Sequence, residues 1–146
     1  MRREERVARF PAPEHGMLIT HLVVSADVER SRRFYVDVLG GEAVLATPDF
    51  SIVALAGSWV TITTGGGPTD DKPGITLEPP TDPSRASTVL NIRVADIRSA
   101  HAEWSAKGAQ FLTPPIDRGQ EIRCFLRDPD GHLIEVGQLV GPLPTG

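Results

Sequence analysis

The chain has one cysteine, few aromatic residues and no long apolar run. Because Cys124 is alone among the 146 residues, an internal disulfide is excluded and a reducing, cytoplasmic location is favoured. Aromatic residues make up 5% of the chain. No apolar run approaches the roughly 20 residues that a membrane-spanning helix needs. The formal net charge of −4 and the lack of a long Lys/Arg run argue against a basic surface, so we expect neither nucleic acid nor a membrane as a partner.

Two common catalytic signatures are also missing. The three glycines at 65–67 are not followed by the Lys-Ser/Thr pair of a phosphate-binding loop, and no Gly-x-Ser-x-Gly nucleophile elbow occurs. Hydrolysis by a Ser/His/Asp triad therefore has no support. The length and the 40% hydrophobic content instead predict a globular chain with a substantial core.

The two halves of the chain repeat one plan when Asp27 is aligned with Asp96. Tyr35 then matches Trp104 within an apolar helical stripe. Each aspartate is a good N-cap, because its carboxylate accepts the free N–H groups of the first helical turn. The repeat predicts one helix and four strands in each half.

Apolar alternation and turn residues set the expected boundaries. The predicted strands are 18–25, 42–46, 51–55, 59–64, 88–94, 109–112, 121–127 and 133–137. Residues 65–87 contain the glycine run and five prolines, so we expect no regular structure there. The predicted organisation is an N-terminal extension at 1–16, a first module at 17–64, a linker at 65–87, a second module at 88–140 and a tail at 141–146.

An acidic turn at 128–131 precedes a predicted strand that carries the carboxylate of Glu135. The Asp-Pro-Asp-Gly sequence at 128–131 fixes one φ angle and lets Gly131 take a positive φ. In the strand that follows, Glu135 lies on one face, while Ile134 and Val136 lie on the other and are expected to face the core. Glu135 therefore either lies in solvent or lines a cavity.

Three segments resemble the vicinal oxygen chelate superfamily, which includes glyoxalase I, fosfomycin-resistance proteins, bleomycin-binding proteins and extradiol dioxygenases. They are His21 with the sequences at 27–31 and 34–40, Val-Ala-Asp-Ile at 94–97, and the turn at 128–131 with Glu135. The resemblance covers nearly all of residues 18–139. It implies an α+β fold of two βαβββ modules whose mixed sheets form a cup with the helices outside. It also implies a homodimer and leaves open whether modules pair within or between chains.

The resemblance further implies where metal ligands belong. In metal-dependent members, His and Glu ligands come from the first and fourth strands of each module and leave sites open for substrate oxygens. Glu135 matches the last of these positions. The position seven residues before Asp96 is Val89, and the fourth strand of the first module offers only Thr61 and Thr63. At most two ligands remain, so any divalent nickel, zinc, iron or manganese ion is expected to be weakly held.

His21 is the natural first-strand ligand, but it lies six residues before Asp27, where the family spacing is usually seven. One residue decides the face, because side chains alternate along a strand. With the usual register, Thr20 takes the ligand position and His21 turns towards the helix. With a loop one residue shorter, His21 and Val23 face the cavity, and the more apolar row packs under the helix. We favour this second register; a structural histidine with a hydrogen-bond partner is the alternative.

Polar and aromatic side chains on the expected cavity faces predict substrate contacts. They are Trp59, Thr61, Thr63, Asn91, Arg93 and Arg123. A guanidinium in the cup would favour an anionic or oxygen-rich ligand. The alternative for either arginine is a salt bridge with Glu121 or Glu135.

Two functions follow from the resemblance. The first is a lyase, isomerase or dioxygenase acting on a small oxygen-rich molecule, with Glu135 as metal ligand or general base and His21 as its partner. Without a metal, Glu135 could still move a proton. The second is a binding protein that sequesters an antibiotic or metabolite, which the incomplete ligand set predicts. We favour the enzyme by a small margin.

Overall fold

The computed structural model describes residues 13–142 and divides into two compact units between Pro79 and Pro80. Each unit is a mixed sheet with a helix, which confirms the α+β class. Among the described residues, no helix is long and apolar enough to cross a membrane. The predicted extension at 1–16 and tail at 141–146 lie largely outside the described range.

The first unit follows the expected order of strand, helix and three strands. Its elements are β1 (His21–Val24), α1 (Val28–Arg33), a π-helical turn (Phe34–Val38), β2 (Glu42–Ala46), β3 (Phe50–Leu55) and β4 (Ser58–Thr63). The strand order is β1-β4-β3-β2, with β1 parallel to β4 and the other pairs antiparallel. Asp27 caps α1, because its Oδ1 accepts the Arg30 N–H at 3.1 Å.

The core of this unit lies between α1 and one face of the sheet. Val23 pairs with Ile62 in the parallel β1–β4 ladder, and Val53 lies on the same face through its pairing with Val60. All four side chains are buried. A methyl group added to Gly41 would collide with Val53 and would lie 2.9 Å from the Tyr35 carbonyl oxygen. The helical segment therefore covers the face that carries Val23 and Val53.

The second unit repeats the plan and adds one short strand. Its elements are β5 (Leu90–Arg93), α2 (Ile97–Ala106), β6 (Gln110–Phe111), β7 (Ile116–Asp117), β8 (Glu121–Arg127) and β9 (Leu133–Leu139). The strand order is β5-β9-β8-β6, β7 also pairs with β8, and β5 is parallel to β9. Asp96 caps α2 through the Ser99 N–H at 3.1 Å. The sequence did not predict β7, because prolines at 114–115 and Gly119 border it.

One face of the second sheet lies against α2. Gln138 on β9 accepts the backbone N–H of Ile97, the first residue of α2, at 2.9 Å. The same face carries a row of buried side chains: Cys124, Leu126, Ile134 and Val136. The prediction that Ile134 and Val136 face the core is confirmed, so Glu135 lies on the opposite face.

The turn before β9 forms as the sequence predicts. The carboxylate of Asp128 is buried, and its Oδ1 accepts the N–H groups of Asp130 at 3.0 Å and His132 at 2.9 Å. Gly131 has a φ of +92°. These local bonds fix the start of β9 and with it the direction in which Glu135 points.

Between β4 and β5 the chain contains no helix or strand, yet residues 65–77 are held by their own hydrogen bonds. Gly66 and Leu77 exchange two backbone hydrogen bonds of 3.0 and 2.9 Å. The Lys72 ammonium donates to the carbonyl oxygens of Gly67 and of Ile75, the latter at 3.2 Å. We call residues 65–77 the lysine loop.

Candidate functional site

The candidate site is the face of the second sheet opposite α2, which we call the helix-free face. Its central row runs across three strands, because Asn91 on β5 pairs with Glu135 on β9, and Glu135 pairs with Phe125 on β8. The next row consists of Arg93, Gly137 and Arg123 on the same three strands. Side chains in register on adjacent strands point to the same side, so these residues form one surface.

Glu135 lies at the centre of this surface and is half-buried. Asn91 Nδ2 donates a hydrogen bond to Glu135 Oε1 at 2.8 Å. Within residues 13–142 this is the one hydrogen bond made by the carboxylate, so Oε2 keeps its capacity to accept from a ligand. The structure thus brings together Asn91 and Glu135, two of the residues predicted for the site.

Arg93 does not present a free charge to this surface. Its Nη1 donates to Glu121 Oε1 at 2.6 Å, and the pair passes over Gly137, where an added methyl group would collide with both side chains. This is the salt bridge that the sequence offered as the alternative for an arginine. A side chain at Gly137 would occupy the space of the ion pair, so the present geometry of the pair depends on a glycine at this crossing.

Arg123 differs from Arg93 although both flank Gly137. Across the described residues, the guanidinium group of Arg123 has no hydrogen-bond or ion-pair partner, and the residue is half-buried. Its neighbour on the outer side is Ile116 of β7, with which it pairs in register. Arg123 is therefore a cationic group with open donors on the helix-free face.

Apolar side chains border Arg123. Phe125 follows it on the same face of β8, and Leu112 continues the β6–β8 ladder beside Phe125 through a 2.8 Å bond from Leu112 N to Phe125 O. Leu112 and Ile116 are 50% and 46% exposed. None of these three residues was predicted from the sequence. Period-two alternation in the predicted strand 121–127 could have placed Phe125 beside Arg123, but nothing local signals the pairing of β7.

In the first unit, Trp59, Thr61 and Thr63 share the face of β4 opposite α1. Trp59 and Thr61 are buried, and Thr61 Oγ1 lies 3.5 Å from the His21 carbonyl oxygen. Thr63 Oγ1 accepts the Gly65 N–H at 3.4 Å. The three residues are brought together, but both threonine hydroxyls have backbone neighbours within their own unit.

The register of β1 is the reverse of the one favoured from sequence. His21 pairs with Val60 and shares a face with Val23, which is 1% exposed and lies on the side covered by α1. Leu22, expected under the helix, is 52% exposed. Hydrophobicity does not identify the buried face of β1, because both of its rows are apolar. The first-strand ligand position therefore lies seven residues before Asp27, as is usual in the superfamily. The residue at that position is Thr20.

The residues present do not fit the superfamily's metal site. His21 lies on the helix side of its sheet, valine at position 89 has no ligand atom, and Thr61 is a poor ligand for a transition metal. Of the four expected positions, Glu135 alone supplies a metal-binding group. Among the described residues, no group of three or more His, Cys, Asp or Glu side chains could hold a metal ion.

The thiol of Cys124 lies under the candidate site, on the α2 side of β8. Burial raises its pKa to about 11, so the thiol stays protonated at neutral pH. It contributes to the core and has no path to act as a nucleophile on the helix-free face.

Both units follow one plan, a mixed sheet with a helix on one face, which defines a two-module α+β protein. Residues 18–136 match the model of the Glyoxalase/Bleomycin resistance protein/Dioxygenase superfamily. The chain belongs to this superfamily, as the resemblance implied. No curated protein matches the chain.

Solved structures share the fold. A glyoxalase/bleomycin resistance protein/dioxygenase from Alicyclobacillus acidocaldarius has a TM-score of 0.67 at 17% identity, covering 84% of this chain and 90% of that one. A protein of the same description from Nocardioides gives 0.68 at 19% identity, covering 98% of both chains. TnmS3, an antibiotic binding protein from Streptomyces sp. CB03234, gives 0.63 at 19% identity, covering 87% and 98%. At these identities the likeness shows the fold alone.

Proposed function

We propose that this protein binds a small organic molecule without a metal, and that binding and sequestration are its function. The observation that carries the proposal is the register of β1. It leaves His21 on the helix side of its sheet, so that Glu135 is the one remaining metal-binding group among the expected positions. The antibiotic-binding function of TnmS3, a protein of the same fold, supports this reading. This proposal reverses the small preference for an enzyme that followed from the sequence alone.

The proposed ligand surface in the second unit is the helix-free face. Glu135 and Asn91 offer an oriented hydrogen-bonding pair, Arg123 offers open donors, and Phe125 offers a ring. Apolar area with a few convergent polar groups is typical of small-molecule sites. Trp59 of the first unit is not part of this surface; its side chain is buried, and its role as a ligand contact stays a prediction.

A thermal-shift screen with and without a chelator tests the proposal. The protein is treated with EDTA and heated with a panel of antibiotics and aromatic metabolites that includes uncharged compounds. A ligand present at 100 times its Kd stabilises the folded state by about 2.7 kcal/mol, which is roughly 8 °C for a chain of this size. Stabilisation that survives EDTA is the expected result.

One result of the same screen would contradict the metal-free proposal. Binding that appears only after nickel, zinc, iron(II) or manganese is added would overturn the metal-free proposal. The His21→Gln variant is the matched control, because a histidine outside the ligand surface predicts unchanged ligand affinity. If His21→Gln abolishes a metal-dependent shift, the metalloenzyme reading replaces ours.

A metal-free proton transfer at Glu135 is the second candidate. It is favoured by one observation: Asn91 holds Oε1, while Oε2 has no protein partner among the described residues. A positioned carboxylate oxygen can act as a general base. Incubation of a bound ligand in D2O separates the two functions, because an enzyme of this kind would incorporate deuterium and the Glu135→Gln variant would not.

We also propose a homodimer in the cytoplasm. Met17 and Ile19 are 87% and 81% exposed and precede β1, an edge strand whose Leu22 is likewise exposed. Exposed apolar side chains on and just before an edge strand favour association with a second copy. Light scattering should give twice the chain mass of 15.8 kDa, and Ile19→Glu should reduce it to one chain mass. A monomeric wild type would refute the dimer.

The proposed cytoplasmic location is supported by the single buried cysteine, which suits a reducing compartment.

A further inference from the structure

We infer that the ligand of the helix-free face is an organic acid with an apolar body and a hydrogen-bond donor at its far end. This inference rests on the proposed function and narrows its ligand class. It follows from three arginines on this one face. They differ in whether their guanidinium groups have hydrogen-bond or ion-pair partners within the protein.

Two of the three arginines are satisfied within their own unit. Arg93 is paired with Glu121. Arg127 donates to the carbonyl oxygen of Gly131 at 3.3 Å and to that of Pro83 at 2.6 Å. These guanidinium groups are part of the structure of the unit, and neither needs a ligand to complete its bonding.

Arg123 is the exception among them. It is half-buried between Gly137 and Ile116, and no described residue accepts its hydrogen bonds. Partial removal of a charge from water without a partner is unfavourable, so the site is completed by an anion. The planar fork of a guanidinium matches a carboxylate with two parallel hydrogen bonds.

The surroundings of Arg123 require that the rest of the ligand is apolar. Phe125, Leu112 and Ile116 lie beside it, and the two aliphatic side chains remain about half exposed. A small inorganic anion would leave this area uncovered. An acid attached to an aromatic or aliphatic body covers it and gains the hydrophobic free energy of that burial.

Glu135 sets the requirement at the other end of the ligand. It is negatively charged when ionised and therefore repels a carboxylate, but its Oε2 can accept a hydrogen bond from a hydroxyl or amino group. Arg123 and Glu135 are diagonal neighbours on adjacent strands, a spacing of about 7 Å between backbone positions. A phenolic acid with the hydroxyl opposite the acid chain meets both requirements.

The test uses three matched probes on the metal-free protein: 4-hydroxycinnamate, its uncharged amide, and cinnamate, which lacks the hydroxyl. Calorimetry should give at least about tenfold weaker binding for the amide than for the acid, the lower end for a hydrogen bond to a charged group. Cinnamate should bind about three- to tenfold more weakly than the hydroxylated acid, as expected for one lost hydrogen bond.

Variants assign each preference to a residue. Arg123→Gln should bind acid and amide equally, and Arg123→Lys should keep part of the preference because it retains charge without the fork. Glu135→Gln should lose much of the distinction between the hydroxylated acid and cinnamate. Arg98→Gln on α2 removes one positive charge from the same unit and should leave all three affinities unchanged. Circular dichroism checks that each variant is folded.

Three outcomes overturn the inference. They are equal affinity of the wild type for acid and amide, retention of the full acid preference by Arg123→Gln, and absence of binding by any acid in the series. None of these outcomes by itself removes the proposed function, which is judged separately by the EDTA-treated panel with its uncharged compounds.

Discussion

Arg93 and Glu121, on strands that flank β9 from opposite sides, form an ion pair of 2.6 Å directly above Gly137. The central strand has a glycine at the crossing point, and an added methyl group would collide with both partners. The pair therefore depends on the absence of a side chain on a third strand. It also removes one of the two arginines beside Glu135 from ligand binding.

We expect Gly137→Ala to separate this ion pair. Both side chains are partly exposed, so the lost interaction is worth at most about 1 kcal/mol, or roughly 3 °C in Tm for a chain of this size. In an Arg93→Ala background the same substitution should become neutral or mildly stabilising, because alanine ordinarily stabilises a strand relative to glycine. Equal destabilisation in both backgrounds, measured by urea denaturation, would show that the pair is not the cause.

The sequence predicted those features that depend on neighbouring residues. Asp27 and Asp96 cap their helices because the accepting carboxylate and the donating N–H groups lie three residues apart. The turn at 128–131 forms for the same reason, since its bonds close within a few residues. These local rules, with the repeat, are enough for the α+β fold and for the direction of Glu135.

What the sequence could not predict depends on pairing between distant strands. The face of His21 is set by its partner Val60, and the two apolar rows of β1 gave no preference for the correct face. Likewise, Arg93 and Arg123 are equivalent in sequence pattern, and only the crossing over Gly137 neutralises one of them. The difference that defines the candidate site is therefore not encoded locally.

Lys72 should control the order of the lysine loop. Its ammonium donates to the carbonyl oxygens of Gly67 and Ile75, and these partly exposed bonds contribute about 0.5–1 kcal/mol to local stability. In Lys72→Met, the backbone amides of Gly66 and Leu77 should exchange with D2O about two- to fivefold faster, as that free energy implies. Lys107→Met removes an exposed helical ion pair and serves as the control. Unchanged exchange at both amides would contradict the role assigned to Lys72.

Asp96 should contribute stability that depends on pH. The Ser99 backbone N–H and then the Ser99 hydroxyl hold the pKa of this carboxyl below its ordinary value of 3.8. A depressed folded-state pKa means that the contribution is fully present above about pH 4 and is lost as the pH falls through the folded pKa. Asp96→Ala should therefore lower Tm at pH 7, and the difference from wild type should shrink below pH 4.

Ser99→Ala provides the matched control for Asp96. It removes the hydroxyl donor at 2.8 Å and retains the backbone N–H, so it should produce a smaller loss of Tm with the same dependence on pH. A difference between wild type and Asp96→Ala that stays constant from pH 7 to pH 3 would contradict the assignment of the cap as an ionised group.

Cys124 should react with thiol reagents only when the second unit opens. The side chain is buried on the α2 side of β8, and burial raises its pKa to about 11, so very little reactive thiolate exists at pH 8. Ellman's reagent should therefore leave the native protein unmodified over the minutes in which it fully modifies the protein in urea. Since β8 also carries Arg123 and Phe125, a ligand bound to the helix-free face should slow modification further by stabilising the closed unit. Rapid labelling of the native protein at pH 8 would show that β8 opens readily, and a sheet that opens so readily could not hold Arg123 and Glu135 in a fixed register.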